Sequence, residues 1–142
     1  MKVFNILSAL VLIMGVSGCA SKSCEPKVGT ALPGTNTAIV GVYLQKDGTP
    51  QETVKEVVVH PGQNVLYAGP DEFSIIFKNK KTPNGSVENQ SRNGVVLIKI
   101  PTDIFERKEF LEEFRKNNSL VFDYGIKVNG KEYDPPLRVV PL

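Results

Sequence analysis

The side chains best suited to chemistry are few, because the sequence contains two cysteines, Cys19 and Cys24, and one histidine, His60. A thiol can be acylated, oxidised to a disulfide or bound to a metal, and an imidazole can act as a base or a metal ligand. A structural zinc site built from cysteine and histidine needs four ligands, more than this sequence offers. The segments around these three residues therefore decide what each of them does.

Cys19 follows a segment with the pattern of a secretory signal peptide. Lys2 supplies a positive charge at the start, and residues 3–16 are almost wholly apolar before small residues interrupt the run. This charge and this apolar length are typical of a signal peptide. A transmembrane helix needs about 20 apolar residues, more than are present. The sequence therefore predicts a signal peptide over residues 1–18.

The residues Val16-Ser17-Gly18-Cys19 resemble a bacterial lipobox, in which an aliphatic residue and two small residues precede an obligatory cysteine. The resemblance implies that a signal peptidase cleaves between Gly18 and Cys19 and that Cys19 is lipidated. Each buried CH₂ of an acyl chain adds about 0.8 kcal/mol of membrane affinity, so several long chains make a durable anchor. Ala20 follows the cysteine, and in a Gram-negative envelope this favours the outer membrane, with the domain on its periplasmic face.

Composition limits what the remainder can be. Residues 19–142 suffice for one domain and are too few for two hydrophobic cores. The formal net charge of the whole sequence is +2, and such a near-neutral surface gives no electrostatic footprint for nucleic acid. Once Cys19 carries lipid, Cys24 is a lone thiol and no internal disulfide can form. Pairing of Cys24 with another chain stays an alternative.

Residues 19–37 are predicted to be the lipidated N-terminus and a flexible tether, because prolines, glycines and small polar residues predominate there. From residue 38 short apolar runs alternate with turn residues, so residues 38–142 are predicted to form one domain. Strands are expected at 38–44, 54–60, 64–68, 72–79, 94–100, 120–128, 131–133 and 137–140. Apolar residues occupy both faces of 94–100, which predicts burial on both sides. The polar stretch 80–93 is expected to be the longest loop.

One segment has helical spacing. Phe110 and Phe114 lie four residues apart, so one helix packed against the sheet is predicted at about 103–117, with Thr102 or Asp103 capping its first turn. About seven short strands with frequent turns favour a mainly β protein with a single antiparallel β-sandwich. Asn129-Gly130 predicts a tight hairpin within it.

Residues 57–77 contain Pro61-Gly62-Gln63 between two apolar runs and resemble the strand, turn and strand of cupredoxin-like domains. Residues 122–139, with Asp134-Pro135, are similar to small bacterial cupredoxin-like domains of the DP-EP type, although the Glu-Pro motif is absent from the domain. The resemblance implies a cupredoxin-like or immunoglobulin-like sandwich. It does not imply copper, because a blue-copper site needs two histidines, a cysteine and usually a methionine. No metal or cofactor is predicted.

His60 stands before Pro61-Gly62, which predicts an exposed or edge histidine at a strand end rather than a catalytic base. The carboxylates of the predicted helix alternate with basic residues, as on a solvated helix face. No catalytic residue is predicted, and an enzyme that uses His60 with nearby carboxylates is the third hypothesis.

The long loop and its flanks carry the candidate binding residues Lys78, Lys80, Lys81 and Arg92. Loops held by a rigid scaffold often bind ligands, so an acidic partner such as lipid phosphates or an anionic envelope glycan is one interpretation. The alternative is that these cations solubilise the loop and prevent edge-to-edge strand pairing.

The leading hypothesis is therefore a membrane-anchored envelope lipoprotein that acts as a non-enzymatic binding or structural module. Its partners would be the membrane, through the lipid on Cys19, and an envelope protein or glycan. The second hypothesis is an outer-membrane lipoprotein component of a multi-protein envelope or secretion machine.

The lipidation hypothesis predicts that Cys19→Ala blocks maturation, because only the thiol of Cys19 can form the thioether. We expect unprocessed or mislocalised precursor on an immunoblot of cell fractions. Cys24→Ala is the matched control and should mature normally. Normal incorporation of labelled fatty acid into the Cys19→Ala protein would contradict the hypothesis.

Overall fold

The computed structural model describes residues 27–142. The predicted signal peptide, Cys19, Cys24 and the first part of the predicted tether lie outside the described residues. The described strands are β1 (Val28–Gly29), β2 (Thr37–Leu44), β3 (Pro50–Glu52), β4 (Glu56–Val59), β5 (Asn64–Ala68), β6 (Ser74–Phe77), β7 (Glu88–Gln90), β8 (Val95–Lys99), β9 (Leu120–Val128), β10 (Lys131–Tyr133) and β11 (Pro136–Val139). The helix α1 spans Lys108–Asn117.

The strands form two sheets that enclose one core. The larger sheet has the order β1-β4-β11-β9-β6-β7, with β10 also paired with β9, and the smaller has the order β3-β2-β5-β8. Burial alternates along the strands, so that each sheet turns one face inward. The prediction of a mainly β sandwich with one helix is confirmed.

The strand count and the strand directions differ from the prediction. The described part of the chain has eleven strands rather than about seven. The sheets are mixed, because β4 lies parallel to both β1 and β11 and β2 lies parallel to β5. The strands that were not predicted, β1, β3 and β7, have only two or three residues. Pieces this short show no periodicity, and their pairing depends on neighbours that are distant in sequence.

β1 lies within the range 19–37 that the sequence assigns to the tether. Val28–Gly29 pairs with β4, and the N–H of Lys55 donates to the carbonyl of Lys27 at 2.9 Å. The backbone groups at this edge of β4 need hydrogen-bond partners, and their pairing with β1 holds this part of the chain against the sheet.

The helical segment is divided. A 3₁₀ turn at Ile104–Glu106 precedes α1, and Arg107 between them is extended with ψ 133°. The predicted cap by Thr102 or Asp103 is wrong, since Arg107 is the N-cap residue of α1 and makes no side-chain capping bond. The reason is that the 3₁₀ turn places Ile104 fully in the core.

The prediction that residues 94–100 are buried on both faces is also wrong. β8 is an edge strand whose side chains are alternately buried and exposed, with Val96 and Ile98 inside and Val95 and Leu97 outside. The outer face of the smaller sheet has no covering layer among the described residues, so apolar composition alone did not reveal which side is exposed.

β9 is the central strand of the larger sheet, and its predicted alternation is confirmed. Leu120, Phe122, Tyr124, Ile126 and Val128 are all buried. The turn between β9 and β10 has positive φ at both central residues, 48° for Asn129 and 80° for Gly130, as a type I′ hairpin requires.

Aromatic rings join the layers through β9. The Phe122 ring meets Phe110 of α1 edge to face at 5.3 Å between centroids, and Phe77 at 6.4 Å. The Tyr124 ring meets Phe77 at 6.0 Å and Tyr67 of the opposite sheet at 5.6 Å. Such contacts add to the burial of the rings, and they connect the helix, the larger sheet and the smaller sheet in one chain.

Phe122→Ala is therefore expected to lower the free energy of unfolding by about 3–5 kcal/mol, because it opens a cavity where these layers meet. Phe114→Ala is the matched control. That ring is only half-buried and stacks on Phe105, so the expected loss is about 1 kcal/mol. Urea unfolding of the mature protein measures both, and equal losses would contradict this description of the core.

Candidate functional site

Among the described residues, one carboxyl side chain lies inside the sandwich. Glu52 belongs to β3, which pairs with β2 at the edge of the smaller sheet, and only 5% of the residue is exposed. Its Oε2 accepts a hydrogen bond of 2.8 Å from the hydroxyl of Tyr124 on β9. This bond crosses the core from one sheet to the other. Oε1 of Glu52 has no partner among the described residues.

Burial raises the pKa of Glu52 to about 7, although the bond from Tyr124 opposes the shift. The pKa of Tyr124 is raised in turn, first by burial and then by the charges of Tyr67 and Glu52. Burial likewise raises the pKa of Tyr67, whose hydroxyl is buried without a partner among the described residues. Burial therefore favours the neutral form of all three side chains, Glu52, Tyr67 and Tyr124.

A buried carboxyl with a raised pKa is the kind of group that can act as a general acid. Substrate needs access to such a group, and only 5% of Glu52 is exposed. Sequence reasoning missed Glu52, because nothing in Pro50-Gln51-Glu52 marks the carboxylate as inward-facing. Its place follows from the β2–β3 pairing.

His60 directly follows β4, at the strand end that its sequence context predicts. Its Nδ1 lies 2.9 Å from the carbonyl oxygen of Val140, and its backbone N–H donates to Oε1 of Gln63 at 2.9 Å. The imidazole thus joins the end of β4 to the chain after β11. Among residues 27–142 no three histidine, cysteine or acidic side chains form a group that could hold a metal.

The four cations of the predicted binding loop do not form one patch. Lys78 pairs with Glu132 and, at 3.3 Å, with Asp134, and the bond to Glu132 is the main cause of its raised pKa. Lys81 points the other way, towards α1. It pairs with Glu113, donates to the carbonyl of Val121 at 2.5 Å and lies 5.1 Å from the centre of the Phe122 ring.

These two lysines therefore hold the loop in place. Glu113 also accepts the N–H of Val121 at 3.0 Å, so it ties α1 to the start of β9. Burial alone would raise the pKa of Glu113, but the bonds from Lys81 and Val121 hold it below its usual value. Lys80 and Arg92 make no ion pair among the described residues and are exposed.

The long loop is itself more ordered than predicted. Its residues 88–90 form β7, and the side chain of Asn84 donates to Asn89 at 3.0 Å. It ends in a tight turn at Asn93-Gly94, whose φ values are 52° and 75°. The backbone of Arg92 bonds to that of Val95 in both directions, at 2.9 and 3.1 Å. Asn-Gly is the signal already used at residues 129–130, and it could have located this turn and the start of β8.

The outer face of the smaller sheet is the main uncovered apolar surface that the described residues show. Ile39 of β2, Leu66 of β5 and Leu97 of β8 lie side by side in register, and Ile39 and Leu97 are 51% and 45% exposed. Val95 and Tyr43 extend this row along the strands. We call Ile39, Tyr43, Leu66, Val95 and Leu97 the outer apolar face. Contiguous exposed apolar side chains of this kind mark interaction surfaces.

The described residues include no helix with the length and apolarity needed to cross a lipid bilayer.

Comparisons with known proteins add little. No family model matches the chain, and no curated protein sequence matches it. Among solved structures, it is similar to one described as the NMR solution structure of a copper binding protein in the apo form. The identity is 10%, the match covers 81% of this chain and 97% of that one, and the TM-score is 0.41. A likeness at this level carries no argument about function.

The raised pKa of Glu52 predicts an unusual pH dependence of stability. The unfolded carboxyl, with a pKa of 4.5, loses its proton at lower pH than the folded one, at about 7. The free energy of unfolding should therefore fall as pH rises through this window, by about 3 kcal/mol. Glu52→Gln removes the ionisation and should abolish this fall. Urea unfolding at a series of pH values from about 4 to about 8 would measure the difference.

Glu113→Gln is the matched control for that experiment. Because the pKa of Glu113 is lowered, its stabilising contribution is present above the unfolded pKa and is lost on acidification. Its replacement should therefore change the pH dependence in the opposite sense. A Glu52→Gln protein with the pH profile of the wild type would show that Glu52 ionises freely in the folded state.

Proposed function

We propose that this protein is an envelope lipoprotein whose β-sandwich acts as a non-enzymatic binding module at the end of a lipid anchor. The outer apolar face is the observation that carries the binding part of the proposal. Two of its members, Ile39 and Leu97, are about half exposed, although the same sheet buries its other face completely. The anchor part rests on the lipobox-like residues ending at Cys19.

The distribution of charge supports binding rather than catalysis. The buried carboxyl of Glu52 bonds across the core, and the imidazole of His60 bonds to a backbone carbonyl. Lys78 and Lys81 are engaged with carboxylates of the domain itself. The polar groups that could have formed a reactive site thus stabilise the fold.

An anchored binding module also suits the position of the tether. Residues 19–27 would connect Cys19 to β1, which lies at one end of the larger sheet. Ala20 favours the outer membrane in a Gram-negative envelope. A partner protein of the envelope is favoured over a glycan, because the outer apolar face offers apolar side chains rather than polar ones.

Site-specific photocrosslinking in cells tests this proposal. A photoreactive residue at Leu97 or Ile39 should trap the same protein partner, because both positions lie on the outer apolar face. Val87 is the matched control, since it is a similarly exposed apolar residue, 42% exposed, outside that face. Excess purified domain should compete with the crosslink.

Equal crosslinking from Leu97 and Val87, or none from either, would contradict a binding role for this face. A hydrolytic or redox turnover that survives purification and disappears in a point variant would contradict the non-enzymatic role.

A further inference from the structure

The strands at the two ends of each sheet are not equivalent. β1 has two residues, β3 has three and begins with Pro50, and β7 consists of the polar residues Glu88-Asn89-Gln90. β8 has five residues, of which all but Lys99 are apolar. Short strands, proline and polar residues are the usual means of preventing a sheet edge from pairing with another chain. β8 has none of these except its terminal lysine.

The open edge of β8 presents unpaired backbone groups at known positions. Ile100 N–H bonds to Gln63 and Gly69 N–H bonds to Gly94, so the even-numbered residues of β8 direct their backbone groups towards β5. Odd-numbered residues direct theirs away from β5, because the direction alternates along an antiparallel strand. Val95 is engaged by Arg92. The N–H and C=O groups of Leu97 and Lys99 have no hydrogen-bond partner within residues 27–142 and can pair with another chain.

Clefts follow this edge on both sides of Leu97. One has a volume of about 440 Å³ and lies between β7 and β8, lined by Asn89, Gln90, Arg92, Val95, Val96 and Leu97. The other, of about 370 Å³, is lined by Asn84, Leu97, Lys99 and Pro101. The lining of the two clefts contains a cation at each end of β8, Arg92 and Lys99, and no carboxylate.

We propose that β8 is a docking edge at which an extended segment of a partner protein adds as a fifth strand of the smaller sheet. Backbone hydrogen bonds to Leu97 and Lys99 would hold the segment, as in other cases of strand addition. Its alternate apolar side chains would continue the row Ile39–Leu66–Leu97, and an acidic residue near each end would meet Arg92 and Lys99. This inference rests on the proposed binding function and names the class of partner.

A second copy of the chain fits this edge less well. Antiparallel pairing of two β8 strands about Leu97 would place Lys99 of one copy beside Val95 of the other. The backbone of Arg92 bonds to that of Val95, so Arg92 of one copy would lie near Lys99 of the other. This would happen at both ends of the paired strands, with no carboxylate between the two cations. An acid-flanked segment of another protein removes this repulsion.

The test uses the mature lipoprotein in detergent micelles and the probe peptide Asp-Val-Thr-Val-Thr-Val-Asp with blocked ends. Binding should slow amide hydrogen exchange at Leu97 and Lys99 by at least about tenfold, because their N–H groups become hydrogen-bonded. The amides of Val57 and Val59 on β4, a strand of the larger sheet that lines neither cleft, serve as an internal control and should not change. A probe with lysine in place of both aspartates should bind more weakly.

Two variants at one position separate backbone pairing from side-chain contact. Leu97→Pro removes an N–H that points away from β5, so the β5–β8 ladder keeps its bonds and the affinity for the probe should fall at least about tenfold. Leu97→Thr keeps the N–H and should lose less than about threefold. Should Leu97→Pro fail to fold by circular dichroism, a probe N-methylated at every internal residue makes the same comparison with wild-type protein.

Equal losses in the two variants, an N-methylated probe that binds as well as the parent, or no protection of Leu97 would each overturn strand addition. Dimerisation of the lipoprotein through β8 without the probe would overturn the choice of occupant. Crosslinking from Leu97 in cells would then still support a binding module, so failure of strand addition and failure of the proposed function are distinguishable.

Discussion

The structure depends on the burial of one face of β9 between the two sheets. Phe122 and Tyr124 lie on this face, and their rings contact α1, β6 and the opposite sheet. The other strands of the larger sheet arrange themselves around β9, with β6 on one side and β10 and β11 in succession on the other. Asp134-Pro135 separates β10 from β11, so the segment after the hairpin supplies two consecutive strands that both pair with β9.

This constraint also explains why the polar groups are where they are. Tyr124 must be buried for the sheets to close, and its hydroxyl then needs an acceptor within the core, which Glu52 provides from the facing sheet. On the outside, Glu113 binds both Lys81 and the start of β9, so the helix and the long loop are fastened to the same strand. These polar groups thus stabilise the fold, and β8 is an edge strand of the smaller sheet.

The sequence predicted some parts of the site and missed others for identifiable reasons. His60 at a strand end follows from the local residues Pro61-Gly62, and the structure agrees. The sequence predicts one basic loop with Lys78 and Lys81, but each lysine pairs with a different carboxylate that is far away in the chain. The apolar neighbours of Leu97 predict that it is buried, yet whether the second face of a sheet is covered depends on the number of layers in the fold, and Leu97 is exposed.

By itself the sequence determined features that depend on local chemistry: the alternation along β9, the hairpin at Asn129-Gly130 and the mainly β class. The signal peptide and the lipidation of Cys19 stay predictions from local patterns of the same kind. Periodicity and turn residues act over a few positions, so they can be read without the fold. Only the tertiary structure decided that β4 and β11 run parallel, that Glu52 faces inward and that β8 is an open edge. These features arise from contacts between residues far apart in the chain, which no local pattern specifies.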